Sequence, residues 1–280
     1  MKKYILVLAI FIVRVIYVGA QDYKIPVDNT KDGKLTIEDF TGDLPIQGYD
    51  GKEIVITGEG DKEDFAVPSR AKGLKPVFSR GTDNTGLGIS LEKNGNQIKL
   101  TCLMPITNPR DFKIKVPNNL SLKVVSGCEN ASEITVQDMK NEVEVQNCQT
   151  IKIKNVTGSL VLNTISGDIS VDKCGAKDQT ISLATVSGDI NINFNEFNTK
   201  NSISLTTISG EIDVTLTPKA AINLKMNSVS GELYSDFEIA EANKKMRHYG
   251  RNQISSAING GGTEFSLTSI SGNVYLRKAK

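Results

Sequence analysis

The sequence predicts an all-β protein wound as a single-stranded parallel β-solenoid, right-handed, with two short strands in each coil of about 21 residues. Three observations predict it. First, one phrase recurs: Asn163-Thr-Ile-Ser-Gly-Asp-Ile-Ser-Val171, Ala184-Thr-Val-Ser-Gly-Asp-Ile-Asn-Ile192 and Thr206-Thr-Ile-Ser-Gly-Glu-Ile-Asp-Val214, with further copies at Asn227 to Ser235 and Thr268 to Leu276. Their Ser-Gly pairs begin at Ser166, Ser187, Ser209, Ser230 and Ser271, in steps of 21, 22, 21 and 41 residues, the last close to a doubled period. Second, short apolar-polar alternations with the period-two mark of half-buried strands fill the chain, and the helical period is nowhere sustained. Third, the register speaks against antiparallel β-hairpin repeats, the alternative fold. In a two-residue hairpin around Ser166-Gly167, Ile165 would share a face with Asp168 and set an acid beside the apolar row in every copy. A solenoid corner removes that conflict, with Ile165 and Ile169 pointing inward on successive walls and Asp168 pointing to water. Corner glycines are expected to use φ > 0, and parallel crossovers are nearly always right-handed.

Taken in order, residues 1–20 read as a signal peptide: Lys2 and Lys3, an apolar run from Tyr4 to Val13, and a small-residue cleavage pattern at Val18-Gly19-Ala20. Arg14 interrupts the run, so no stable membrane span is expected, and no cysteine follows the cleavage site to carry a lipid. Residues 21–119 read as irregular β-rich coils and a cap. Their strands are Lys34 to Ile37, Glu53 to Thr57, Gly88 to Leu91, Gln97 to Thr101 and Phe112 to Val116, with a long polar loop from Gly58 to Thr85. Thr41-Gly42-Asp43-Leu44 is a degenerate copy of the phrase. Residues 120–280 read as the regular solenoid, its strands running from Leu120-Ser-Leu-Lys-Val124 to Ile222-Asn-Leu224 at short, even spacing. An insertion at 236–262 interrupts it and accounts for the doubled step. Glu238 to Tyr249 within it has helix-forming composition, suited to a short helix or an extruded hairpin, and Asn259-Gly-Gly-Gly262 follows. Bare strand edges must be covered, so the N-terminal region is expected to cap one end while Arg277-Lys-Ala-Lys280 charges the other.

Composition excludes several functions. Removing residues 1–20 takes away three basic residues and no acid, which moves the formal charge from +1 to −2. That balance argues against nucleic-acid binding. Trp is absent and aromatics are few, so stacking platforms for sugars or bases are not expected. His248 is the sole histidine, which rules out a zinc site with two histidines and leaves a Ser-His-Asp arrangement to chance. Neither a phosphate loop, a dinucleotide fingerprint nor a CxxC pair is present. The sequence therefore predicts no catalytic, cofactor-binding or metal residues, no cofactor, and a protein that is not an enzyme.

Three side-chain sets remain. Aligning half-repeats on the residue before each turn gives the column Cys148, Val156, Ile165, Cys174, Val186, so Cys148 and Cys174 stand where valine or isoleucine stands elsewhere, and the cysteines (Cys102, Cys128, Cys148, Cys174) read as free, buried small hydrophobes and not as disulfides. Cys148 and Cys174 fall on opposite walls, and a Cys128–Cys148 bridge is the alternative pairing. The acids after the corner glycines, Asp168, Asp189, Glu211 and Glu232, ending at Asn273, would stack at about 4.8 Å. They read as turn formers, with calcium binding or acid–base work on a polysaccharide as the alternative. The column Thr164, Thr185, Thr207, Ser228 and Ser269 reads as satisfying corner backbone groups, with ordered water as the alternative.

The Thr-Ile/Val-Ser-Gly-Asp/Glu-Ile/Leu phrase, the lead-in Pro117-Asn-Asn-Leu-Ser-Leu122 and Asn259-Gly-Gly-Gly262 resemble an uncharacterised bacterial family that carries a provisional adhesin label. The resemblance covers most of the mature chain and is strongest from Phe112 to Leu276. It implies an exported cell-envelope β-solenoid and brings no catalytic residues. The expected function is a non-enzymatic envelope or surface protein, adhesive or structural, in the periplasm, on the cell surface or outside the cell. Its partner would be a surface ligand, protein or glycan. A polysaccharide-binding or polysaccharide-acting β-helix is the first alternative, and a protein–protein module of the envelope, working through an end coil or the insertion, is the second.

Overall fold

A computed structural model describes residues 21–58, 69–74, 77–105, 110–130, 132–198, 200–239 and 252–280. The signal-peptide reading, His248 and the helix-forming stretch of the insertion beyond residue 239 lie outside them. Before the regular part come β1 (Gln21–Pro26), β2 (Lys34–Glu38), β3 (Leu44–Tyr49), β4 (Glu53–Gly58), β5 (Ile89–Asn94), β6 (Gln97–Cys102) and β7 (Phe112–Pro117). The run continues with β8 (Ser121–Val125), β9 (Ile134–Gln137), β10 (Val143–Gln146), β11 (Ile151–Lys154), β12 (Leu160–Asn163), β13 (Ile169–Lys177), β14 (Ile181–Thr185), β15 (Ile190–Asn198), β16 (Ile203–Thr207) and β17 (Ile212–Leu216). Last are β18 (Ile222–Ser228), β19 (Leu233–Ser235), β20 (Asn252–Ile258), β21 (Thr263–Ser269) and β22 (Val274–Lys278). Among the described residues there is no α-helix, only a 3-10 turn at Ser69–Ala71.

The strands form two eleven-stranded sheets, ordered β1-β4-β7-β3-β9-β11-β13-β15-β17-β22-β19 and β20-β18-β21-β16-β14-β12-β10-β8-β2-β6-β5. From β8 to β17 successive strands alternate between the sheets, and each pairs in parallel with the strand two further along. Ile151, Ile169, Ile190 and Ile212 stand side by side in one sheet, and Leu160, Ile181 and Ile203 in the other. Period-two alternation turns one set of side chains into the space between the sheets, where Ile169, Ile181, Ile190, Leu205 and Ile212 are fully buried. Antiparallel pairing, which the hairpin alternative would require throughout, occurs among the named strands only toward the ends, at β1–β4, β4–β7, β5–β6 and β18–β20.

The stack does not follow chain order. β21 lies between β16 and β18, and β22 between β17 and β19, so the last coil is slotted one layer in from the end. At the other end β2 lies between β6 and β8, and β3 between β7 and β9. Both terminal coils are interior layers, while β1, β5 and β20, each antiparallel to its neighbour, form three of the outer edges. The doubled step between Ser230 and Ser271 thus marks a change of stacking order as well as an insertion. The described part of that insertion is residues 236–239, where Phe237 is buried, and strand β20 followed by a turn in which Asn259, Gly260 and Gly261 all have positive φ (51°, 87° and 79°).

Three expectations are corrected by the corners. Ile165 does not point inward: it is 48% exposed, and Val186, Ile208, Val229 and Ile270 at the same place are also exposed, while the threonine or serine before each is buried. The pre-turn column therefore splits, because Val156 and Cys174, leaving the other sheet, are fully buried. The corner glycines are not at positive φ. A close backbone approach demands them instead, since a Cβ on Gly188 would stand 2.1 Å from the Gly167 carbonyl oxygen and one on Gly210 2.0 Å from that of Gly188. Left-handed φ appears at the opposite corner, at Asp138 (60°), Asn155 (52°) and Lys173 (56°). Finally, Cys128 and Cys148 are bridged, with Cα atoms 5.0 Å apart, so only Cys102 and Cys174 are free buried thiols. The exposed 127–129 loop reaches back over the corner, which proximity in the half-repeat register alone could not reveal.

Candidate functional site: the phrase edge and its tyrosine end

Each copy of the phrase carries the chain from one sheet to the other, so the five copies line one narrow edge of the molecule. Their order along it is Ser166, Ser187, Ser209, Ser271, Ser230, because each of these N–H groups from Ser187 onward donates to the apolar residue one layer before: Ser187 to Ile165 (2.8 Å), Ser209 to Val186, Ser271 to Ile208 and Ser230 to Ile270 (2.9 Å each). The β-ladder therefore runs on around the corner.

The inward hydroxyls are consumed within that ladder. Thr185 donates to the Gly167 carbonyl at 3.1 Å, Thr207 to Gly188 at 3.0 Å, Ser269 to Gly210 at 2.9 Å and Ser228 to Gly272 at 2.8 Å; Thr164 donates to Gln149 at 2.7 Å. All five are buried. They close the acceptors that the tight turn leaves open, and a surface array for ordering water is overturned because none faces solvent.

The two aspartates of the column are likewise tied to backbone. An oxygen of Asp168 accepts the N–H of Asp189 at 2.9 Å, and Asp189 accepts that of Glu211 at 2.8 Å. Asn273 then intervenes: its amide donates to Glu211 at 3.0 Å and its oxygen accepts the N–H of Glu232 at 2.9 Å. The spatial column is Asp168, Asp189, Glu211, Asn273, Glu232, so an amide separates the last two carboxylates. Asp43 in the degenerate copy acts in the same way, accepting from Glu133 N–H at 3.2 Å. Among the described residues no three of His, Cys, Asp and Glu are grouped to hold a metal ion. The edge thus shows three outward columns: apolar (Ile165, Val186, Ile208, Ile270, Val229), hydroxyl (the phrase serines) and acidic.

Near the C-terminal end one outward row breaks pattern. It runs Lys152, Ser170, Asn191, Asp213, Tyr275, Tyr234 across adjacent strands. The two tyrosine rings stack, 7° from parallel with centroids 5.1 Å apart. Tyr234 donates to Glu232 at 2.6 Å, which pushes its phenol pKa up because ionising it would set two negative charges in contact. The Tyr275 hydroxyl meets Glu211 at 3.3 Å and accepts from Asn273 at 3.0 Å. Arg277 lies over the Tyr275 ring, 5.3 Å from its centroid, and forks onto Asp213 at 2.8 to 3.0 Å. Sequence reading missed this pair: 41 positions separate the two residues, and composition counts tyrosines without placing them.

On the outer face of the second sheet, charged groups pair across nearby strands. Glu144 takes Lys123 at 2.8 Å and Lys34 at 3.6 Å, and Glu38 takes Lys99 at 2.8 Å. No helix among the described residues is long and apolar enough to cross a membrane.

A solved structure from Clostridium sporogenes, provisionally named a cell adhesion protein, is similar at 13% identity over 93% of this chain and 100% of that one, with a TM-score of 0.36. Another, from Parabacteroides distasonis and provisionally named an adhesin, is similar at 13% identity over 92% of this chain and 97% of that one, with a TM-score of 0.33. No curated protein matches the chain. The family model described as Toastrack DUF4097 matches residues 13–277, nearly the whole length and both ends of the stack, and the chain belongs to that family.

Proposed function

We propose that this is an exported, non-enzymatic protein of the bacterial cell envelope or surface, adhesive or structural, which works by presenting the phrase edge to a ligand. One observation carries the reading. Every copy spends its buried threonine or serine and its glycine on the corner backbone, as Asp168 and Asp189 do their carboxylates, yet each leaves an isoleucine or valine outside, in a line of five where burial does not call for it. Aligned exposed apolar residues on a regular surface are what a binding face requires. The acids form a ladder and do not converge on a cleft, which favours a scaffold over hydrolytic chemistry. The Cys128–Cys148 bridge supports export, since such bonds persist in oxidising compartments. In this reading residues 1–20 are the export signal, 21–119 the irregular cap, and 120–280 a right-handed solenoid with two strands per coil. The test is a binding screen of the purified exported protein on glycan arrays and envelope-protein extracts, beside a Val186→Lys/Ile208→Lys variant. The wild type should retain a ligand that the variant loses while melting normally; equal retention would remove the phrase edge from the function.

A further inference from the structure

We infer that the stacked pair Tyr234 and Tyr275 is a binding ledge for a neutral pyranose sugar. This rests on the reading of the chain as a surface-binding protein and names a ligand class for it. In the row that contains them, four layers carry Lys152, Ser170, Asn191 and Asp213, residues at home on a wet face. The last two layers carry aromatic rings on that same outward side, with Tyr234 46% exposed, so core packing does not account for them. The rings repeat at nearly the strand spacing and lie parallel, which turns their faces along the axis of the stack. Tyr234 belongs to β19, the edge of its sheet, and among the described residues no strand pairs beyond it on the side turned away from Tyr275.

A pyranose has an apolar C–H face that stacks on such a ring and a rim of hydroxyls that need acceptors. Acceptors are present. Glu232 uses Oε2 for the Tyr234 hydroxyl, which leaves Oε1 beside the ring edge, and Glu211 stands at the next phenol. Hydrogen bonds to Glu232 and Glu211 and one from Asn273 hold both phenols, and Arg277 clamps Tyr275 from the flank, so the ledge is set before a ligand arrives. Arg277 is itself matched by Asp213, and carboxylates, Glu232 and Glu211, stand at the two phenols, which disfavours uronates and sialylated glycans.

The chain has no tryptophan and seven tyrosines, so a ligand-induced change in tyrosine emission that is lost in Tyr234→Ala reports on this site. The purified protein is titrated with neutral tetrasaccharides of glucose, galactose and N-acetylglucosamine, and with a tetragalacturonate as the anionic probe. A neutral probe should saturate in the millimolar range or below. Tyr234→Ala should weaken it by at least about tenfold, Tyr234→Phe should stay within about threefold because the ring remains, and Lys99→Ala, on the outer face of the second sheet, should leave it unchanged. Undiminished binding by a normally melting Tyr234→Ala protein, preference for the anionic probe, or no binding of any neutral probe would overturn the ledge. If no sugar binds while an envelope protein is still lost on Val186→Lys/Ile208→Lys, the ledge fails and the broader function stands.

Discussion

Gly188 shows how little room a corner leaves. Any Cβ there would press on the Gly167 carbonyl, the same oxygen that Thr185 must reach at 3.1 Å. Gly188→Val should therefore separate two layers, at a cost of several kcal/mol by analogy with overpacking and lost buried hydrogen bonds. Thermal unfolding followed by circular dichroism should show a fall of more than about 10 °C or no folded protein; a melting curve like the wild type would remove the close-approach explanation. Glu144 is a second residue whose setting predicts behaviour. Lys123 and then Lys34 hold its carboxyl below the usual glutamate range. A depressed folded-state pKa stabilises above the unfolded value and is lost as pH falls through the folded one. Glu144→Gln should thus lose stability at neutral pH yet lose less than the wild type on acidification, so the two acid-unfolding curves should converge at low pH.

At the scale of elements, the exposed apolar column begins at a disulfide. Cys148 occupies the place that Ile165 and Val186 take in later layers, and it is buried where they are exposed, with Cys128 bonded to it. The bridge closes a segment with a sequence separation of 20, for which chain-entropy reasoning gives about 3 kcal/mol. Reductant should lower the melting temperature of the wild type and leave a Cys128→Ser/Cys148→Ser protein unmoved at the lower value. If reductant changes nothing in the wild type, the bridge does not form in solution. The opposite corner is built by other means: Asp138, Asn155 and Lys173 take left-handed φ, and the Asn155 amide donates to Asp138, which with Gln47 holds that carboxyl low. The two edges of the stack therefore use different chemistry for the same change of direction.

At the scale of the whole molecule, intercalation changes what the chain ends do. In a simple linear array, deleting the last repeat removes one interface. Here β21 and β22 each pair on both sides, so deleting residues 263–280 would strip interior faces from β16, β17, β18 and β19 together. That truncation should abolish cooperative unfolding and drive aggregation through the bared edges, seen by size exclusion and circular dichroism. A monomeric protein with a sharp, modestly lowered transition would show instead that the outer layer can close the gap.

The all-β class, the parallel stacking and the corner role of the Ser-Gly phrase were legible in the sequence, because period-two burial and a fixed repeat are local properties that any neighbouring layer satisfies. The outward turn of Ile165 was not, since it depends on which sheet the chain is leaving, and the phrase reads the same under either assumption. Nor was the stacking order. Near-identical phrases pair equally well with one another, so the place of Ser271 between Ser209 and Ser230 comes from long-range closure of the stack, which local sequence does not encode. That closure is also what sets Asn273 between Glu211 and Glu232 and lays Tyr275 against Tyr234. The sequence by itself determined what each coil is made of; only the tertiary structure decided which coils touch, because pairings across 41 to 64 residues are chosen by packing and not by the residues' own preferences.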